Sequence, residues 1–211
     1  MGKGAVVDLV MTLSLRAIPG GAARADAALA DRAAAQRCLE GDRDAFAFLV
    51  RRHGAAVFGF CSRMVGPTNA EEIAQESFAR AWSRLGEFRW ESTFKCWLFR
   101  IALNLCRDQL KSGRTREEAA GRVEGVVEPL DLAPDPEGIA LGAEAAGQLA
   151  RAIDRLQPKY REAFVLKHVE ELSYEEIRRI VGMPIPALKV RVHRARGMLQ
   201  RILEEEAEVE P

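Results

Sequence analysis

Ser173-Tyr174-Glu175-Glu176-Ile177-Arg178-Arg179-Ile180-Val181-Gly182-Met183-Pro184-Ile185-Pro186-Ala187-Leu188-Lys189-Val190-Arg191-Val192-His193-Arg194-Ala195-Arg196 carries the signals that decide the fold. Ser173 with Glu176 three residues on is a capping box, in which hydroxyl and carboxylate satisfy N–H groups that the helix leaves open. Gly182 supplies the left-handed residue that ends this short helix. Met183-Pro184 completes a turn, and Pro186 suits the first position of the next helix, where an N–H is not needed. In the second helix Leu188, Val192, Ala195 and Leu199 recur at i, i+4, i+7 and i+11, so they share one face and are expected in a core. That turns Lys189, Val190, His193 and Arg194 outward and puts Arg191 and Arg196 on the flanks. Short helix, Gly-bearing turn and basic helix form the helix-turn-helix pattern; its second helix fits a major groove, where Lys or Arg reaches guanine edges or phosphates. The competing reading, a solvated basic face on a core helix, explains the charge but not its agreement with caps and turn.

Composition hides this feature. Formal net charge is zero over the 211 residues, so the whole chain gives no hint of nucleic acid. Locally, Lys189, Arg191, Arg194, Arg196 and Arg201 occur with no acid among them, and Glu204, Glu205, Glu206, Glu208 and Glu210 come after them. Leu and Ala dominate and no run alternates Val, Ile or Thr as strands do, which predicts an all-α protein. The cysteines Cys38, Cys61, Cys96 and Cys106 lack a C-x-x-C pair and read as reduced thiols in a cytoplasmic core. A zinc site with His53, His168 or His193 is the sharper alternative, and the spacing lends it nothing. No cofactor, metal site or catalytic constellation is expected.

Working outward, the chain reads as two small helical domains and a tether. Residues 1–32 read as a disordered or weakly helical extension, since Asp8 and Arg16 interrupt what could pass for a secretory signal; Met11 is an alternative start. Residues 33–111 are densely periodic. Residues 112–142, with Gly113, Gly121, Gly125, Pro129, Pro134, Pro136 and Gly138, have the composition of a flexible linker. Periodicity resumes over 143–204, and 205–211 form an acidic tail.

Within the first domain, Ala45 to Met64 reads as two helices broken near Gly54, with Phe46, Leu49, Val50, Val57, Phe58 and Cys61 at helical spacing. Thr68 or Asn69 is expected to cap the next helix, whose core stripe is Ile73, Ser77, Phe78, Ala81, Trp82 and Leu85. Its other face, Glu72, Gln75, Glu76 and Ala79, is by itself an ordinary solvent face. A loop from Gly86 to Ser92 carries Phe88, Arg89 and Trp90. Aromatics there either close the core or stack on unpaired bases, and the second use is worth about 1–3 kcal/mol per base. The helix from Thr93 to Lys111 buries Phe94, Trp97, Leu98, Ile101 and Leu105, and its polar face of Arg100, Asn104, Arg107 and Lys111 favours the nucleic-acid use.

These residues together resemble a known family. Ala70-Glu71-Glu72-Ile73-Ala74-Gln75-Glu76-Ser77-Phe78-Ala79-Arg80-Ala81-Trp82 resembles the core-polymerase-binding segment of extracytoplasmic-function sigma factors, of the sigma-70 family and two-domain type. Phe88 through Asn104 resembles their melting and −10-reading segment. Leu156 through Phe164, Leu172 through Ile177, and Val192-His193-Arg194-Ala195-Arg196 resemble their −35-reading domain.

The resemblance implies a transcription initiation factor, not an enzyme, cytoplasmic and without membrane insertion. Residues 33–111 would be sigma region 2 and residues 143–204 sigma region 4. It implies that Glu72, Gln75 and Glu76 dock on the β′ coiled coil of core RNA polymerase. Phe88, Arg89, Trp90, Ser92, Arg100, Asn104, Arg107 and Lys111 would melt and read the −10 element, the loop capturing a flipped base. Lys189, Val190, Arg191, His193, Arg194 and Arg196 would read the −35 element. The linker would thread toward the polymerase active-site channel, and an anti-sigma factor would be the regulatory partner.

One departure stands out. Where the family usually has Gly-Thr-Val-Lys-Ser, this chain has Pro186-Ala187-Leu188-Lys189-Val190, which removes two hydroxyls and implies an atypical −35 preference. A helix-turn-helix regulator acting without polymerase is the runner-up, and the Ala70–Trp82 segment counts against it. A helical enzyme or metal protein would need a nucleophile–base pair, phosphate loop or ligand cluster, and none stands out.

Overall fold

Helical periodicity prevails throughout residues 21–120 and 140–209, the part of the chain that the computed structural model describes; they contain helices, turns and no strand. They fall into two compact units. One lies within Pro19–Gly125 and Glu175–Met183, the other within Val126–Tyr174 and Pro184–Pro211. No helix among the described residues is long and apolar enough to cross a membrane.

The first unit is built on α1 (Gly21–Leu39), α2 (Asp44–Val65), α3 (Pro67–Ser83), a 3-10 turn (Leu85–Glu87) and α4 (Phe94–Ala120). Helix α2 packs on α1, α3 and α4 alike. It buries Ala45, Leu49, His53, Val57, Phe60, Cys61 and Met64, a stripe that runs its whole length. The break expected at Gly54 is therefore absent. A mid-helix glycine costs about 1 kcal/mol relative to Ala, too little to interrupt a stripe buried on both sides of it. The burial pattern also corrects part of the expected stripe: Phe46 and Phe58 are only half-buried and Val50 is exposed.

Helix α3 starts at Pro67, not after Thr68 or Asn69. Gly66 adopts φ 81° and turns the chain, and Pro67 sits in the first turn, where its missing N–H costs nothing. Asn69, freed from capping, accepts a hydrogen bond from Gln109 Nε2 at 3.3 Å and so ties α3 to α4. The first turn of α4 is capped by Thr93, whose Oγ1 accepts the Cys96 N–H at 3.2 Å. Helix α4 runs past Lys111 to Ala120, so the start of the expected linker is helical; residues 121–139 lie outside the described residues.

The N-terminal extension is corrected too. Its residues from Gly21 onward form α1, while residues 1–20 lie outside the described residues. The helix is anchored by Asp31, buried to 3% exposure, whose carboxylate lies 2.9 Å from His53 Nε2 and 3.3 Å from Arg52 Nε. A buried carboxylate is strongly unfavourable unless paired, and the two α2 partners supply that pairing. All four cysteines are buried free thiols, and burial pushes Cys96 up to about 11.

The second unit holds α5 (Ala140–Asp154), α6 (Pro158–Phe164), a single π-helical turn (Val165–Val169) and α8 (Ile185–Val209); α7 (Tyr174–Val181) falls in the first unit's segment from Glu175 onward. Helix α8 packs on α6 and α5. Leu188, Val192, Ala195 and Leu199 are all buried, as their spacing predicts, together with Ala152, Ile153, Leu156, Phe164 and Leu166. Arg161 of α6 donates to the carbonyls of Ile153, Asp154 and Leu156, satisfying the open end of α5. Helix α8 continues through the acidic stretch to Val209, with Glu205 and Glu206 paired to Arg155 at 3.4 and 3.2 Å.

A Cβ at Gly54 would meet nothing within 4 Å, whereas Gly182 adopts φ 76°. Gly54→Ala should therefore raise stability by about 0.5–1 kcal/mol, and Gly182→Ala should lower it by about 1–2 kcal/mol. Thermal unfolding followed by circular dichroism checks both; a lowered midpoint for Gly54→Ala would refute the open, unstrained site.

Candidate nucleic-acid interface

Helix α8 separates its basic residues by exposure and pairing. Lys189, Val190, His193 and Arg194 are exposed, as predicted, and so is Arg196, expected on a flank. Arg191 is half-buried and pairs at 3.1 Å with Glu162 of α6, a carboxylate only 4% exposed. It locks α8 to α6 and is not presented outward with the others. Breaking such a pair from one side strands the other charge in the interior, so Arg191 belongs to the scaffold. The Arg194 guanidinium beside Tyr160 holds that phenol below its ordinary value. Lys189 lies over the Tyr174 ring at 5.8 Å, and Lys167 lies over the same ring at 4.9 Å. The outward cations are thus steered by two tyrosines that helical spacing alone does not single out.

The turn before α8 keeps its expected positions with one shift. Helix α7 begins at Tyr174, putting Ser173 at the cap position, and Gly182 ends it with φ 76°. Helix α8 begins at Ile185, so Pro186 occupies its second position.

Below the basic face sits His168, in the π-helical turn. Its ring lies 4.9 Å from Phe164, and its Nε2 is buried without a hydrogen-bond partner. Burial, then the charges of Arg196 and Lys167, lower its pKa to about 4.

In the first unit the Gly86–Ser92 loop forms an aromatic cluster. Phe88 is buried at 9% exposure, stacks on Trp97 at 4.7 Å and 17°, and meets Trp90 at 4.6 Å. Of the two uses open to this aromatic, Phe88 closes the core and supports the loop from beneath. Trp90 is half-buried and adopts φ 60°, a conformation costing an L-residue about 1–2 kcal/mol. Arg89 is exposed, and the half-buried Ser92 turns its hydroxyl to the Thr93 carbonyl at 3.3 Å. Along α4, Arg100, Asn104 and Lys111 are exposed and Arg107 is half-buried. Their i, i+4, i+7, i+11 spacing places all of them on one face.

On α3 the face of Glu72, Gln75, Glu76 and Ala79 is exposed as expected. Gln75 donates to Glu71 at 3.1 Å, and Arg80 donates to Glu76 at 2.6 Å. Trp82, expected in the core, is 39% exposed. Its ring packs edge-on against Phe46 at 5.0 Å, lining an open apolar groove of about 430 Å³ with Arg43, Ala47, Val50 and Arg51. Trp82 lies seven residues beyond Gln75, two helical turns on, so the groove continues the polar face. No group of His, Cys, Asp and Glu among the described residues could hold a metal ion.

Comparison with known proteins finds two sigma-70 modules in the chain. Residues 49–116 match the family described as Sigma-70 region 2, and residues 146–199 match Sigma-70 region 4. Those modules define a transcription initiation factor that directs RNA polymerase to promoters. The chain is 36% identical over 172 residues to the ECF RNA polymerase sigma factor SigW of Bacillus subtilis, covering 78% of this chain and 91% of that protein. It belongs to the extracytoplasmic-function sigma factors of the sigma-70 family. Its fold is similar to CnrH, solved in complex with the cytosolic domain of CnrY, at TM-score 0.62 and 28% identity over 83% of this chain and 98% of that one. It is similar also to the sigma factor RpoE of Bartonella quintana, solved with the anti-sigma factor NepR, at TM-score 0.63 and 27% identity over 79% and 98% of the two chains.

His168 gives a pH signature. Its folded pKa lies below the unfolded value, so the unfolded chain takes up the proton first as pH falls. Stability should be lost progressively from about pH 6.5 toward pH 4. His168→Gln should shrink the drop in melting temperature between pH 7 and pH 4.5 relative to the parent chain. An unchanged drop would remove His168 as its source.

Proposed function

We propose that the chain reads the −35 element with α8, opens and reads the −10 element with the Trp90 loop and the polar face of α4, and docks on core polymerase through α3. On this reading residues 33–111 act as region 2 and residues 143–204 as region 4, in the cytoplasm, with no chemical step performed by the chain itself. The observation that carries the proposal is the exposed basic set of α8 standing on a fully buried Leu188, Val192, Ala195 and Leu199 stripe. A helix held rigid on one face can present the other to a major groove without paying for ordering at the moment of binding.

With Arg191 engaged by Glu162, the −35 contacts fall to Lys189, His193, Arg194 and Arg196. Val190 is exposed at 48% where the family usually carries a hydroxyl, and it offers apolar contact, suited to a thymine methyl. On α3, Glu72, Gln75 and Glu76 supply the polar contacts to the β′ coiled coil. The Trp82 groove supplies an apolar anchor, the type of contact that dominates interface energies. The similar sigma factor RpoE, solved with the anti-sigma factor NepR, supports an anti-sigma factor as the regulator of this chain.

Purified chain added to core RNA polymerase should yield promoter-dependent transcripts. Failure to bind polymerase would favour a helix-turn-helix regulator acting alone. Arg194→Ala should lower transcription on the order of tenfold, as expected for loss of a base or phosphate contact. Unchanged promoter output would sink the assignment, and a melting curve separates this from loss of the Tyr160 contact. Trp90→Ala should spare polymerase binding and reduce open complexes on duplex promoters, read by permanganate reactivity of unpaired thymines.

A further inference from the structure

Arg32, on α1, is exposed, and its guanidinium carbon lies 5.5 Å from the centroid of the Trp90 ring. Among the described residues this ring is its only partner, since it takes part in no hydrogen bond or ion pair. The neighbouring Asp31 is the buried anchor that pins α1 to α2 through His53 and Arg52, so Arg32 is placed by the core and not by chance contact. The ring it covers is itself held in an unfavourable backbone conformation, with φ 60° at Trp90 and the ring braced by Phe88 at 4.6 Å. Strain of this kind persists only where the surroundings over-determine it, and it concentrates at binding sites.

Charge points the same way. The loop carries exposed Glu87 and Glu91 against a single exposed Arg89, so by itself it repels a phosphate backbone. A guanidinium beside the ring offsets that deficit. It can also stack on a base as readily as on an indole, since both present a flat π-face to a planar cation.

We propose that Arg32 is a strand-binding residue: its guanidinium holds the Trp90 ring in place and engages the unpaired DNA strand at the base that this ring takes up. The inference rests on Trp90 being a base platform. It assigns to the N-terminal helix a direct part in holding the open strand, where the polymerase-docking and groove-reading surfaces have none.

The test uses the full chain assembled with core polymerase and a fluorescent single-stranded DNA 15-mer of random sequence, followed by anisotropy. Arg32→Ala should weaken binding on the order of tenfold, the range set by one stacking contact. Arg32→Lys, which keeps the charge and loses the planar face, should fall between. In a Trp90→Ala background, Arg32→Ala should add little, because the two act through one site. Binding unchanged or tightened by Arg32→Ala would overturn the proposal, the latter showing that Arg32 merely shields the ring. Full multiplication of the two losses would also overturn it. If Trp90→Ala alone leaves binding intact, it is the base-platform reading that fails. Thermal unfolding of each variant shows that a loss is not one of folding.

Discussion

Phe60 of α2 meets Phe99 of α4 with ring centroids 5.3 Å apart, and both side chains are completely withdrawn from solvent. Much of the first unit depends on that contact and the stripe that continues it. Once α2 must bury a face from Ala45 to Met64, α3 and α4 have to cover it, and the chain between them has to turn within Arg84 to Thr93. The short turn forces Phe88 inward onto Trp97 and leaves Trp90 at the rim. The aromatic loop is thus an outcome of core packing before it is anything else. The base-stacking role proposed for the loop would use what packing leaves exposed.

The second unit solves a different problem, because a helix rich in cations must be held down without neutralising its outer face. Glu162 does this from beneath, pairing with Arg191. The pair is worth less as net stability than as geometry, since desolvating two charges offsets much of their attraction. It fixes the rotation of α8 about its axis, and that rotation decides which side chains stand outward. The acidic end of α8 is electrostatically misplaced, since carboxylates near a helix C-terminus oppose the backbone dipole. The Arg155 pairs with Glu205 and Glu206 offset this and keep the helix continuous.

Features carried by local spacing are legible in the sequence: the buried stripe of α8, the Gly182 turn, the exposed face of α3 and the all-helical class. Features that depend on partners far along the chain are hidden in it. Asp31 reads as part of a loose extension because its partners, Arg52 and His53, lie in another helix. Periodicity alone puts Trp82 in the core, yet its side of α3 meets Phe46 at the wall of an open groove. Gly54 reads as a break, although tertiary burial on either side outweighs a single weak helix former. Helical spacing puts Arg191 on a flank together with Arg196, and nothing separates the two until Glu162, twenty-nine residues before Arg191, is found buried and paired with it.

The π-helical turn at Val165–Val169 has an evolutionary consequence. Glu170 N–H reaches the Val165 carbonyl at 2.9 Å, five residues back, so the turn holds one residue more than an α-helix would. Such a turn behaves as a tolerated insertion: an added residue shifts the phase of the downstream chain by about 100° without dismantling the helix before it. The wide turn brings Leu172 N–H within 3.1 Å of the Leu166 carbonyl and tucks His168 against Phe164. A descendant that deleted one residue here could keep α6 and its Glu162 intact. It would place a different side chain beneath Arg196, so the surroundings of the basic helix can drift while its scaffold stays.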